Sequence, residues 1–277
     1  MTTGATLAHR VDGDGEPLLL LNGGMMTHAS WEPIAVRLQE RYTVVRCDLR
    51  GQLLSPGSVS PDMSSNVGDL TDLLDHLGLE SAHVLGTSYG GEIGLLLAAL
   101  APERVRSLIA VTVTDRTTDA MRRGAQDLRQ LIASALAGGD RGLVHDRLVT
   151  EAYSARHTSR FGDSLAGRRE LVARLPDAWF EGLEGIIASM ETLDLRSYLS
   201  SIACPTLVII AADDRVIPPV RSRELAAAIG GAEVSVHPTS GHALVVEDPD
   251  WVTDAALEFL KRQSQSAAVA SEIISND

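Results

Sequence analysis

The sequence predicts an α/β fold built on a mostly parallel sheet, and three observations carry that expectation. Short β-rich apolar runs recur along the chain, amphipathic helical patterns separate them, and one long stretch, residues 115–200, breaks the rhythm by being helical throughout. Strands buried on both faces read as near-continuous Val, Ile and Leu, and the crossover helices between them cover those faces.

The apolar runs are PLLLL (17–21), YTVVRC (42–47), AHVLGT (82–87), RSLIAVTV (106–113), PTLVIIA (205–211) and AEVSVH (232–237). Between them HASWEPIAVRLQE, SSNVGDLTDLLDHLG, SYGGEIGLLLAALAP, VRSRELAAAIG and DPDWVTDAALEFLKR space apolar residues at three and four, several with Asp, Ser or Pro near the start. The expected organisation is a core in two parts, 1–114 and 201–262, interrupted by a helical insertion at 115–200 and followed by a polar, frayed tail at 263–277. Arg-rich turns of the insertion, such as MRRGAQDLR, read as solvated helix faces.

A chain of 277 residues that is 44% hydrophobic can bury the core of one large domain. Its net charge of -13 argues against a nucleic-acid surface and for a small organic partner, because phosphate binding needs clustered Lys and Arg. Of the 24 basic residues only Lys261 is lysine, which reflects coding bias rather than arginine-specific chemistry. Cys47 and Cys204 lie in or beside apolar runs without metal-ligand spacing and read as buried reduced thiols, with no metal site. The stretch MTTGATLAHRVDGDGEP lacks a basic start and an apolar centre, and the apolar run near Ile93 to Ala101 is far too short to span a bilayer. A soluble, cytoplasmic protein with no membrane association is expected.

The chemistry is concentrated in VLGTSYGGEIG, where Gly86, Ser88 and Gly90 spell G-x-S-x-G between a strand and a helix. A sharp strand-to-helix turn forces the serine into strained backbone angles, so its neighbours must lack side chains that clash, and Gly86, Gly90 and Gly91 meet that need. Such a turn presents the hydroxyl at the carboxyl edge of the sheet and aims the following amides at an oxyanion beside it.

A serine nucleophile needs a base within hydrogen-bond reach and an acid to orient that base. His242, between the last strand and the last helix, occupies the same sheet edge as Ser88. His9, His76, His83, His145, His157 and His237 sit in surface or packing positions, while His28 follows the first core strand and is a pocket candidate. For the acid, IIAADDRVIPP offers two adjacent carboxylates, Asp213 and Asp214, after the penultimate core strand.

With the order Ser, Asp, His and this elbow, the chain resembles the α/β-hydrolase superfamily over residues 6–262. The resemblance implies the fold of that family, with helices flanking the central sheet and a helical cap inserted after the sixth strand. Aligning Ala211 to Pro218 on the family's G-x-x-D-x-x-x-P puts the acid at Asp214 and makes Asp213 a turn residue. A rarer family arrangement, with the acid one strand earlier, nominates Asp115. LLLLNGGMMTHASW is similar to the family's His-Gly-x oxyanion loop with Asn22 in place of His, so the backbone amides of Gly24 and Met25 join that of Tyr89 as implied donors. CDLRGQLLSPG resembles the Asp-x-Arg-Gly-x-Gly-x-Ser loop with Leu53 replacing its second glycine, and Asp48 and Arg50 read as structural.

The activity implied is that of a serine hydrolase, cleaving an ester or lactone of a small, largely apolar molecule through an acyl-enzyme without a cofactor. Asn22, Met25, Met26, His28, Trp179 and Phe180 are the expected pocket residues, the last two from the cap, and the side chain of Tyr89 adjoins them. Carbon–carbon bond hydrolases of this fold commonly carry an aromatic residue after the base where this chain has Ala243, and epoxide hydrolases and haloalkane dehalogenases carry Asp where it has Ser88. A carbon–carbon hydrolase, a cofactor-independent lyase and a ligand-sensing receptor that retains the triad stand as the alternatives.

Overall fold

Seven strands form one sheet in the order β1-β3-β2-β4-β5-β6-β7, parallel except for β1, which pairs antiparallel with β3. The computed structural model describes the backbone of residues 7–275 and the side chains of residues 7–265. The strands are β1 (His9–Asp12), β2 (Glu16–Leu21), β3 (Tyr42–Cys47), β4 (Ala82–Thr87), β5 (Val105–Val111), β6 (Thr206–Ala211) and β7 (Glu233–His237). The last six match the runs read from the sequence within two residues at each end.

Alternation along the central strands sends side chains to two cores. Leu19, Leu21, Val45, Val84, Leu108, Val208 and Ile210 pack with α2 (Ser65–His76), α3 (Tyr89–Leu100) and α9 (Pro219–Ala228). Leu18, Leu20, Val44, Leu85, Ile109, Leu207 and Ile209 pack on the other face with α1 (Glu32–Leu38) and α11 (Pro249–Ser275). The α11 backbone runs on as helix through residue 262, where the frayed tail was expected to begin, and Asn276 and Asp277 lie outside the described residues.

β1 is the strand the sequence reading missed, because HRVD is a polar edge with no apolar alternation. What holds it comes from afar: Arg46 on β3, with 1% of its side chain exposed, donates to Asp12 at 2.5 Å and to Glu32 on α1 at 2.5 Å. A buried guanidinium without carboxylate partners carries a large desolvation cost, so the pairing locks strand, edge and helix together.

The helical insertion leaves the sheet after β5, the fifth strand of this chain, not after a sixth. It contains α4 (Asp119–Leu136), α5 (Gly142–Ala152), α6 (Ala155–Ala173) and α7 (Asp177–Met190), and the short α8 (Arg196–Leu199) leads back to the core. Its two ends close into a neck through Leu195 N–H to the Asp115 carbonyl at 2.7 Å, Thr117 N–H to the Leu193 carbonyl at 3.0 Å and a bridge between Arg116 and Asp194. Among the described residues no helix is long and apolar enough to cross a membrane.

Two close backbone approaches set where helices meet the sheet's carboxyl edge. A Cβ on Gly90 would stand 2.4 Å from the Leu21 carbonyl and 2.5 Å from that of Asn22, so α3 starts against the end of β2 only because this residue is glycine. A Cβ on Gly182 would stand 1.8 Å from the Gly51 carbonyl, which seats α7 directly on the loop after β3.

Gly90→Ala is therefore expected to lose about 3 kcal/mol or more, through the forced separation of α3 from β2. Gly68→Ala, in the exposed interior of α2 with nothing within 4 Å of a new Cβ, should instead gain about 0.5–1 kcal/mol. Urea unfolding of the two variants beside wild type measures both signs.

Candidate active site

Ser88 caps the amino end of α3 with φ 50° and ψ -125°. This left-handed region is costly for a non-glycine residue and persists only where surrounding contacts over-determine it. Those contacts are the Ser88 N–H to the Val111 carbonyl at 2.9 Å, the Glu92 N–H back to the Ser88 carbonyl at 2.9 Å, and Gly86, where a Cβ would stand 2.5 Å from the Gly90 carbonyl. Thr112, the other described non-glycine residue at positive φ, adjoins this turn at the end of β5.

The imidazole of His242 reaches the elbow from the loop after β7. Its Nε2 lies 2.9 Å from Ser88 Oγ and its Nδ1 2.8 Å from Asp214 Oδ2. With the proton on Nδ1, which donates to the carboxylate, Nε2 is free to accept from the serine hydroxyl. The remaining oxygen of Asp214 accepts the Val216 and Ile217 amides at 2.9 and 2.8 Å, which fixes the carboxylate in the turn after β6. Burial opposes charge on the His242 ring, yet its pKa stands above the ordinary value because the Asp214 carboxylate attracts the proton, with Glu92 adding to that attraction.

The two other acids are placed elsewhere. Asp213 is exposed, and its amide donates to the Ser240 carbonyl at 3.0 Å, as a turn residue would. Asp115 spends its oxygens on Arg221 at 2.6 Å and Arg116 at 2.7 Å, joining α9 to the neck of the insertion.

The loop after β2 faces the elbow. Asn22 is fully buried, and its side chain does not line an open wall: it accepts from Trp31 Nε1 at 2.8 Å and donates to Asp48 at 3.2 Å and Gln52 at 2.9 Å. Asp48 also accepts the His28 amide at 2.5 Å and lies 3.2 Å from His28 Nδ1. Gln52 Nε2 donates to the Gly23 carbonyl at 2.8 Å. The network ties the loops after β2 and β3 and leaves the Gly24 and Met25 amides without a partner among the described residues. The Tyr89 amide, at the first position of α3, has no preceding turn to bond to.

Met25 packs with the cluster of Trp179, Phe180 and Leu183, and Ile186 stands 3.4 Å from where a Gly24 Cβ would be, so α7 lies over this loop. Trp179 and Phe180 are themselves buried, edge to face at 4.9 Å, with Arg141 over the Phe180 ring. Met26 turns under the loop, its sulfur 3.4 Å from the Gly23 amide, and packs against the core shared with α1. Tyr89 buries its ring against α2, where Asn66 donates to the hydroxyl at 3.3 Å, and burial pushes the phenol up to about 12. Burial likewise pushes the Cys47 thiol up to about 12, which leaves it unreactive.

Two residues of this region escaped the sequence reading. Gln52 stands where the resembling loop offered no chemical signal. Glu92 sits one helical turn after Ser88, wholly buried, accepting the Thr114 amide at 3.3 Å with one oxygen and nothing with the other. A lone acid in an apolar helix, GGEIGLLLAAL, is the signal that could have found it.

Comparison with known proteins agrees with the fold. The model of the α/β-hydrolase fold family matches residues 16–249, and the chain belongs to that family. It is 31% identical to "Putative carbamate hydrolase RutD" of Azorhizobium caulinodans, over 92% of this chain and 95% of that one. Among solved structures it is similar to the enol-lactonase of Burkholderia xenovorans LB400, with a TM-score of 0.81, 26% identity and coverage of 92% and 96%. It is also similar to a thermophilic esterase of Thermogutta terrifontis, with a TM-score of 0.81, 25% identity and coverage of 95% and 97%.

Glu92 makes stability depend on pH. Burial raises its carboxyl from 4.5 to about 7, against the opposing pull of the Thr114 amide and His242. The folded state then holds this proton more tightly than the unfolded chain, so the contribution of Glu92 to stability is most favourable below about pH 4.5 and falls as pH climbs toward about 7. Glu92→Gln should match wild type at about pH 4 and exceed it by about 3 kcal/mol at about pH 8. Denaturant unfolding at the two pH values checks the crossover.

Proposed function

We propose that the protein is a serine hydrolase that cleaves an ester or lactone of a small organic molecule through a covalent acyl-enzyme. The observation that carries this reading is the hydrogen-bonded chain from Ser88 Oγ through His242 to Asp214, with the serine half-buried on a strained turn.

Ser88 Oγ attacks the carbonyl carbon while its proton passes to His242 Nε2, and the carbonyl electrons move onto oxygen. The amides of Gly24, Met25 and Tyr89 are the donors assigned to that oxyanion. Collapse expels the alcohol, which takes the proton from His242, and leaves Ser88 acylated. Water then adds, gives its proton to His242, and releases the acid as that proton returns to Ser88. Asp214 holds the imidazole in the tautomer this cycle needs and stabilises its charged form. General acid–base help contributes about 10²–10⁴-fold and each oxyanion donor about 10²–10³-fold, so activity depends on the whole set. In this reading the insertion is the lid, and α7 with Met25 shapes the acyl side of the pocket.

A carbamate presents the same carbonyl chemistry with nitrogen on the acyl side or as leaving group. The 31% identity to the protein named as a carbamate hydrolase favours it as the second reading.

A fluorophosphonate probe should label Ser88 and fail on Ser88→Ala; a folded wild-type protein that does not react would overturn the nucleophile. Asp214→Asn should lower turnover of p-nitrophenyl acetate by roughly 10⁴-fold, while Asp213→Asn stays near wild type. Turnover lost in Asp115→Asn but kept in Asp214→Asn, at equal folding, moves the acid to Asp115. A panel of short esters, lactones, carbamates and a vinylogous diketone, with products identified, separates the substrate classes.

A further inference from the structure

His242 is held from both sides by backbone hydrogen bonds that lead out of the core. The amide before it, Gly241 N–H, donates to Glu247 Oε1 at 3.1 Å, and the amide after it, Ala243 N–H, donates to the Ala152 carbonyl at 2.8 Å. Ala152 ends α5, inside the helical insertion. Glu247, at the end of α10 (Leu244–Glu247), reaches the same place. Its Oε1 accepts the Ser154 amide at 2.7 Å and its Oε2 the Ser154 hydroxyl at 2.6 Å. Ser154 is 2% exposed and caps α6, its Oγ accepting the His157 amide at 3.2 Å.

One carboxylate therefore gathers three donors from two segments some 90 residues apart in sequence, the α5–α6 linker and the loop that carries His242. The fit is close: a Cβ on Gly241 would meet the Ala152 carbonyl at 2.7 Å, the Ser154 amide at 2.8 Å and Glu247 Oε1 at 3.0 Å. Removing the carboxylate leaves the Ser154 and Gly241 amides and a buried hydroxyl without their acceptor, and such groups are costly to leave unpaired.

We infer that Glu247 is a positioning residue for His242, clasping the insertion to the base so that the place of the imidazole over Ser88 depends on the α5–α6 linker. This rests on the reading of His242 as the base. The side chain of Glu247 bonds Ser154 and Gly241 and none of Ser88, His242 or Asp214, so its loss moves the imidazole without removing a reacting group. Displacement of a catalytic group by about 1 Å costs on the order of 10²-fold in rate.

The test compares Glu247→Ala, Glu247→Gln and Ser154→Ala by the rate of fluorophosphonate labelling and by kcat and KM for p-nitrophenyl acetate, well below each unfolding temperature. Glu247→Ala is expected to lose about 10²-fold in labelling rate and kcat with KM nearly unchanged. Glu247→Gln, whose carbonyl still accepts both amides and whose amide faces a hydroxyl able to accept, should stay within about 5-fold of wild type. A folded Glu247→Ala that labels at the wild-type rate, or a Gln variant as slow as the Ala variant, overturns the inference. Should Glu247→Ala not fold, Ser154→Ala decides: a several-fold fall in kcat at constant KM supports the clasp and an unchanged kcat refutes it. Failure of wild type to label refutes the base and nucleophile reading instead, independently of the clasp.

Discussion

Everything at the carboxyl edge of this sheet depends on how close α3 comes to the ends of β2 and β4. The helix begins where a side chain at Gly90 would collide with the Leu21 and Asn22 carbonyls at the end of β2, and a methyl at Gly86 would strike the helix itself. That approach forces Ser88 out of ordinary backbone space and points its hydroxyl away from the core. The strain is stored in the middle of the sheet, between β4, buried along its whole length, and β5, buried at every position but Arg106. A looser junction would let the serine relax and lose its line to His242.

The facing loop reaches a comparable rigidity by polar means. Asn22, Asp48 and Gln52 replace a packed apolar contact with a saturated buried network, and such networks fix geometry only when every member is satisfied. Trp31 closes it through its indole N–H. This explains how the chain does without the histidine expected at Asn22: the loop is held from behind through its backbone and side chains, leaving the Gly24 and Met25 amides uncommitted.

Much of this was readable in the sequence and some was not, for identifiable reasons. The six parallel strands declare themselves because burial on both faces demands continuous apolar residues, and Ser88 and His242 because their chemistry and their strand ends coincide. β1 stayed hidden because its stability lies in Arg46, and no local pattern in HRVD reports a partner 34 positions away. For the acid, the family pattern singled out Asp214, and it is the carboxylate of Asp214, and of neither Asp213 nor Asp115, that lies 2.8 Å from His242 Nδ1. Asn22, Trp179 and Phe180 were expected to line a pocket; all three are buried, Asn22 in the polar network and the two rings edge to face within the insertion. Gln52 and Glu92 were missed because a single polar residue carries no periodicity.

The insertion meets the body at several separated places: the neck beside β5, Gly182 on Gly51 after β3, α7 over Gly24 and Met25 after β2, and Ala152 with Ser154 against the loop after β7. Mechanically it is a beam resting on several supports along the sheet, not a door on one hinge. A beam of this kind yields between its supports before it yields at them. The longest helix of the insertion, α6, carries a break from helical angles at Phe161. A beam bends at such a joint, and this one is set about two helical turns beyond the Ala152 and Ser154 support.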